Sequence, residues 1–120
     1  MENRPKTIII DIDGTILHHY GSLSGQIDFD PIILDGVKET FDEWDRKGYR
    51  IILLTGRKEG MRQATEEQLH ACGIFYDQLV MGVGGGVRIL INDLKPDSTQ
   101  EMAIGINVER NKGIRDYCNL

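Results

Sequence analysis

Asp11 and Asp13 stand one residue apart at the end of an apolar run, Ile8-Ile9-Ile10-Asp11-Ile12-Asp13-Gly14-Thr15. Residues two apart on a strand share a face, and past the strand's end the twist can re-aim Asp13 over the same cleft. Paired carboxylates at the carboxyl edge of an α/β sheet suit a hard divalent cation with oxygen ligands, and Mg²⁺ is the natural candidate. A lone Asp-x-Asp-Gly reads equally as a turn, with Asp11 a cap or an edge charge. The rest of the chain has to decide between them.

The segments that would position these acids alternate in type. Thr7 to Ile12 reads as a buried strand, and residues 14–34 as a flap or loop, with a small hairpin at most. Val37, Phe41 and Trp44 carry helical spacing between Leu34 and Gly48, with Asp35 as the cap. Arg50 to Leu54 is a second apolar strand running into Thr55-Gly56-Arg57, and Gly60 to Ala71 a second helix stopped by Gly73. Tyr76 to Met81, Val87 to Ile91 and Ala103 to Val108 read as further strands, and Glu109 to Leu120 as a ragged polar tail. Alternating strands and helices imply parallel pairing, so Asp11/Asp13, Thr55 and Asn92/Asp93 converge on one sheet edge. The expected architecture is α/β, a Rossmann-like three-layer αβα sandwich with a mainly parallel sheet. The 120 residues are expected to form one catalytic core domain, 1–120, with no separate cap.

Composition excludes several classes. A net charge of -5 and a pI near 5.1 argue against a nucleic-acid surface, since Arg46-Lys47 and Arg57-Lys58 are only short basic pairs. No run approaches the ~20 apolar residues of a membrane span, and the start of the chain lacks a signal-peptide core. A cytoplasmic protein is expected. Cys72 and Cys118 read as free thiols, and His18, His19 and His70 are too scattered for a zinc site. Gly82 to Gly86 precedes a strand where a dinucleotide loop would follow one, so it reads as a flexible turn.

Asp11-x-Asp13-Gly14-Thr15, then Leu54-Thr55-Gly56-Arg57, then Ile91-Asn92-Asp93 together resemble the haloacid dehalogenase-like phosphatase superfamily, in a small capless form. The resemblance implies a Mg²⁺-dependent phosphatase. Asp11 would be the nucleophile that forms an aspartyl-phosphate, and Asp13 the acid and then the base. Metal ligands would be Asp11, the Asp13 carbonyl and Asp93. Ile12, Thr55 and Gly56 would hold the phosphoryl group. The basic residue that steadies its charge has three candidates, Arg88 ranked before Lys58 and Lys95. Asn92 replaces one of the usual pair of aspartates in the last motif. His18, Tyr20 and Arg57 are candidate substrate contacts. The implied substrate is a small phosphomonoester such as a sugar phosphate, and an open site fits a homo-oligomer whose neighbouring subunit forms the lid. The alternatives are a phosphoprotein phosphatase and a non-catalytic module binding Mg²⁺ or a phosphometabolite.

Overall fold

A computed structural model describes residues 4–120. The chain runs β1 (Thr7–Asp11), α1 (Leu23–Asp28), α2 (Val37–Arg46), β2 (Arg50–Leu54), a 3-10 turn (Glu59–Met61), α3 (Arg62–Ala71), β3 (Gln78–Val80) and a last 3-10 turn (Arg115–Tyr117). The strands form one parallel sheet in the order β1-β2-β3, with Ile8 opposite Ile51, Ile10 opposite Leu53 and Leu53 opposite Leu79. The fold is therefore α/β with a parallel sheet and no separate cap.

The alternation of the strands separates two faces. Ile8, Ile10, Ile51, Leu53 and Leu79 pack with Val37, Phe41 and Trp44 of α2 and Leu69 of α3 in the buried core. Burying a side chain of this kind contributes about 1.5–3 kcal/mol, and the four-then-three spacing of Val37, Phe41 and Trp44 lines them along one stripe of α2. The opposite face, carrying Ile9, Asp11, Leu54 and Val80, stays part-exposed, with Ile9 at 44% and Val80 at 43%. The described helices α2 and α3 thus fill one outer layer of the sandwich.

Several expectations need correction. Residues 15–31 hold a short helix, α1, capped by the Ser22 hydroxyl, which accepts from the Gly25 N–H at 3.0 Å. Gly36 rather than Asp35 occupies the cap of α2, while Asp35 binds Arg115. Glu109 to Leu120 is not ragged: Ile114 is buried, its N–H donates to the Asp35 carbonyl at 3.0 Å, and Tyr49 Oη donates to the Leu120 carbonyl at 2.6 Å.

The largest difference lies between β3 and that tail. Val87–Ile91 and 103–108 do not join the sheet. Parallel strands need a connection of a dozen or more residues, usually a helix, and β3 is separated from Val87 only by the glycine-rich turn. The chain instead runs out as an arm over residues 84–107. It turns at Lys95–Ser98, where the Ser98 N–H donates to the Lys95 carbonyl, and returns with Asn92 Nδ2 donating to the Met102 carbonyl at 3.2 Å. The arm gives the molecule a longest dimension of 51 Å against 28 and 25 Å for the others.

Candidate active site

Asp11 closes β1 on the open face of the sheet. Asp13 follows in a tight turn in which the Ile12 carbonyl accepts from the N–H groups of Thr15, Ile16 and Leu17. Gly14 has φ +91 there, a conformation that glycine adopts without a Cβ penalty. The Gly14 carbonyl accepts from the Asn111 N–H at 2.8 Å, which carries the C-terminal segment over the motif. A cleft of about 190 Å³ results, lined by Asp11, Asp13, Gly14, Thr15, Val108 and Arg110.

The two acids have different surroundings. The Asp11 side chain is 36% exposed; Arg88 Nη1 donates to its Oδ1 at 3.1 Å and Thr15 Oγ1 to its Oδ2 at 3.4 Å. Asp13 is held by Arg57, whose Nε donates to Oδ2 at 2.9 Å and Nη2 to Oδ1 at 2.8 Å, and Gln26 Nε2 adds a third bond to Oδ1 at 2.7 Å. Such a fork binds an ionised carboxylate, because both oxygens act as acceptors.

Arg57 is correspondingly not a surface group awaiting substrate. Its side chain has no exposure, and its Nη1 donates to Thr65 Oγ1 at 3.0 Å and Gln68 Oε1 at 2.7 Å. Thr55 is buried at the end of β2, where its hydroxyl accepts from the Arg57 N–H at 3.0 Å and its carbonyl from Val83 at 2.9 Å. Gly56 is exposed beside it and Ile12 is buried below the motif turn. His18 and Tyr20 pack ring to ring at 4.7 Å, Tyr20 Oη donates to the Asp30 carbonyl, and neither side chain lines the cleft at Asp11. Of the three basic candidates, Arg88 touches Asp11. Lys58 precedes the first 3-10 turn and Lys95 lies at the arm's turn.

Arg110 and Asn111 carried no signal in the sequence because they sit in what reads as a polar tail, and Val108 reads only as the last residue of a strand. Gln26, Thr65 and Gln68, which support the Asp13–Arg57 pair, are scattered single residues with no shared spacing.

A Mg²⁺ site fits one chain only in part. Asp11 is accessible, and the Arg57 and Gln26 bonds engage the Asp13 side chain and not the backbone carbonyl expected as a ligand, but Asp93 lies on the exposed arm. Among the described residues no group of three acidic, imidazole or thiol side chains gathers around a point.

An Asp-x-Asp-Gly-Thr turn at the end of the first of three parallel strands, with a threonine closing the second, defines a haloacid dehalogenase-like phosphatase fold. Within that superfamily residues 5–88 match the model of the polynucleotide kinase PNKP phosphatase domain, and the chain belongs to that family. The matched span ends at Arg88, before the arm. Among solved structures, the chain resembles one in the structure of a Pnkp1/Rnl/Hen1 complex, at 29% identity and TM-score 0.59 over 72% of this chain and 31% of that one. A structure of the Pnkp1/Rnl/Hen1 RNA repair complex gives 30% identity and TM-score 0.58 over 70% and 28%. The chain thus spans about a third of the length of these relatives. A structural-genomics target from Vibrio cholerae shares the fold at 20% identity and TM-score 0.52, over 76% of this chain and 84% of that one. No curated protein matches the chain.

Proposed function

We propose that the chain is a phosphomonoester hydrolase working through Asp11. The observation that carries this reading is the half-exposed Asp11 carboxylate at the carboxyl end of β1, with Arg88 bonded to it and Arg110 lining the same cleft. A carboxylate oxygen of Asp11 attacks phosphorus, the ester P–O bond breaks, and the alcohol leaves with a proton; water then hydrolyses the aspartyl-phosphate and regenerates Asp11. Arg88 and Arg110 supply the positive charge that favours a phosphoryl group next to an anion. Asp13 takes the acid and base steps in this reading, and its carboxylate has to leave the Arg57 fork to carry a proton.

The net charge of -5 and a cleft open to solvent support a small phosphorylated metabolite as substrate. The family match supports a second reading, a phosphate at a polynucleotide end. Phosphate release from a sugar phosphate, p-nitrophenyl phosphate and a 3′-phosphorylated oligonucleotide, each against Asp11→Asn, separates them. Asp11-dependent release from the small esters is the expected result, and preference for the oligonucleotide selects the second reading. No release from any ester would sink the hydrolase and favour a phosphometabolite-binding module.

A further inference from the structure

Asn111 joins three parts of the chain that meet at the cleft. Its backbone N–H donates to the Gly14 carbonyl at 2.8 Å, its side-chain Oδ1 accepts from the His19 N–H at 2.7 Å, and its Nδ2 donates to the His19 carbonyl at 3.3 Å. The side-chain amide thus exchanges with His19 the two bonds that the backbone of a neighbouring antiparallel strand would exchange. Holding this geometry places Asn111 at φ +63, in the left-handed region that asparagine tolerates better than most residues with a Cβ.

The residue braced in this way is Arg110. A Cβ placed on Gly14 would lie 3.3 Å from Arg110 Cγ and 3.7 Å from its Nε, so the arginine stem crosses the motif turn, and the residue lines the cleft with Asp11 and Asp13. Each of the two acids already holds an arginine, Asp11 through Arg88 and Asp13 through Arg57. Among the described residues no acceptor takes a bond from the Arg110 guanidinium. Arg110 is therefore the surplus positive charge of the cleft, with N–H donors in a planar fork that matches the oxygens of a phosphoryl group.

We propose that Arg110 binds the phosphoryl group before attack, and that Asn111 is the positioning residue that aims it. The two arginines of the cleft then divide the work. Arg88 is committed to Asp11 and acts on the charge that develops as Asp11 attacks, whereas Arg110 carries affinity for the bound ester and for the phosphate released. The part given to Arg88 rests on the hydrolase reading; the anion clamp of Arg110 and Asn111 does not. Glycine adopts φ +63 at no cost, so Asn111→Gly removes the amide and keeps the backbone path.

The test measures calorimetric titration with inorganic phosphate and the kinetics of p-nitrophenyl phosphate hydrolysis on the native chain, Arg88→Ala, Arg110→Ala, Asn111→Ala and Asn111→Gly. Arg110→Ala should weaken phosphate binding and raise KM on the order of 10- to 100-fold, as for a lost hydrogen bond to a charged group. Its kcat should change little, the mark of binding made equally in the ground and transition states. Asn111→Ala and Asn111→Gly should move the same two quantities the same way, by up to about tenfold. Arg88→Ala should lower kcat and keep phosphate affinity near native. The Ile114 amide, which donates to the Asp35 carbonyl, should stay protected from hydrogen exchange in Asn111→Gly, because the latch there is intact.

No phosphate binding by the native chain, or native affinity in Arg110→Ala, overturns the clamp. Native affinity in Asn111→Gly overturns the positioning by the amide, and so does affinity lost together with Ile114 protection, since Asn111 would then only dock the segment. Phosphate affinity that follows these substitutions in a chain that hydrolyses no ester would uphold the clamp and sink the hydrolase. Asp11-dependent hydrolysis with unmoved phosphate affinity would do the reverse.

Discussion

Both carboxylate oxygens of Asp13 are gripped by the guanidinium of Arg57, at 2.9 and 2.8 Å, and the arginine side chain has no solvent exposure. Asp11, two residues earlier in the same motif, is half exposed. Both acids line the cleft, but one is locked to a buried arginine and the other is open to solvent.

That contrast sets the first prediction. Asp13→Ala leaves Arg57 charged, buried and without its carboxylate, and removing one partner of a buried pair costs about 3–5 kcal/mol. Asp11→Asn changes an exposed pair and should shift stability by no more than about 1 kcal/mol. Urea unfolding of the two variants checks this, and equal midpoints would mean that Arg57 finds another partner.

Arg88 is bonded to the Asp11 carboxylate, the proposed nucleophile, without supporting the core, since the pair is more than a third exposed on each side. Arg88→Ala should leave the melting temperature within a degree or two, as expected of an exposed ion pair worth about 0–1 kcal/mol. Phosphatase turnover should fall on the order of 10²-fold, as for the loss of one donor to a developing negative charge. Arg88→Lys should recover only part, because a lysine lacks the planar fork. Unchanged turnover in Arg88→Ala would transfer the role to Arg110.

Local pattern explains what the sequence could disclose and where it stopped. The strands β1 and β2 and the helices α2 and α3 are short-range signals, period and stop residue, and they lie within a residue or two of their expected places. The placement of Asp11, Asp13 and Thr55 at neighbouring strand ends was legible because strand ends in a parallel sheet converge. The arm was misread because Val87-Arg88-Ile89-Leu90-Ile91 has strand composition whichever sheet it enters; what keeps it out of its own sheet is the length of the connection before it. Arg110 and Ile114 were missed since their places depend on contacts with Gly14 and Asp35, about eighty or more residues earlier, which no local period encodes.

The C-terminal segment is latched by Asp35, whose carboxylate accepts from Arg115 Nε at 3.0 Å and Nη2 at 2.9 Å. Hydrogen bonding to Arg115, foremost, holds the Asp35 carboxyl below its ordinary value. A depressed folded-state value means that the contribution is complete above the unfolded value, near ~4, and is lost as pH falls through the folded one. Asp35→Asn should therefore melt below the native chain at pH 7, and the difference should vanish near pH ~2. A difference that persists in acid would assign the effect to packing instead of charge.

The same latch depends on Gly113. Its φ is +85, and a Cβ built there would lie 2.1 Å from the Asp35 carbonyl oxygen and 2.7 Å from the Asp35 nitrogen, both backbone atoms that no rotamer change can clear. Gly105, on the arm, has nothing within 4 Å and no positive φ. Alanine restricts the unfolded chain about equally at the two sites, so the folded state decides the sign. Gly113→Ala should destabilise by more than about 1 kcal/mol and release the segment that carries Arg110 over the cleft, lowering affinity for a phosphoester along with the melting temperature. Gly105→Ala should be neutral or slightly stabilising. Hydrogen exchange at the Ile114 amide, which donates to Asp35, reads the release directly. Retained protection at that amide in Gly113→Ala would show that the segment shifts as a unit and keeps its bond to Asp35.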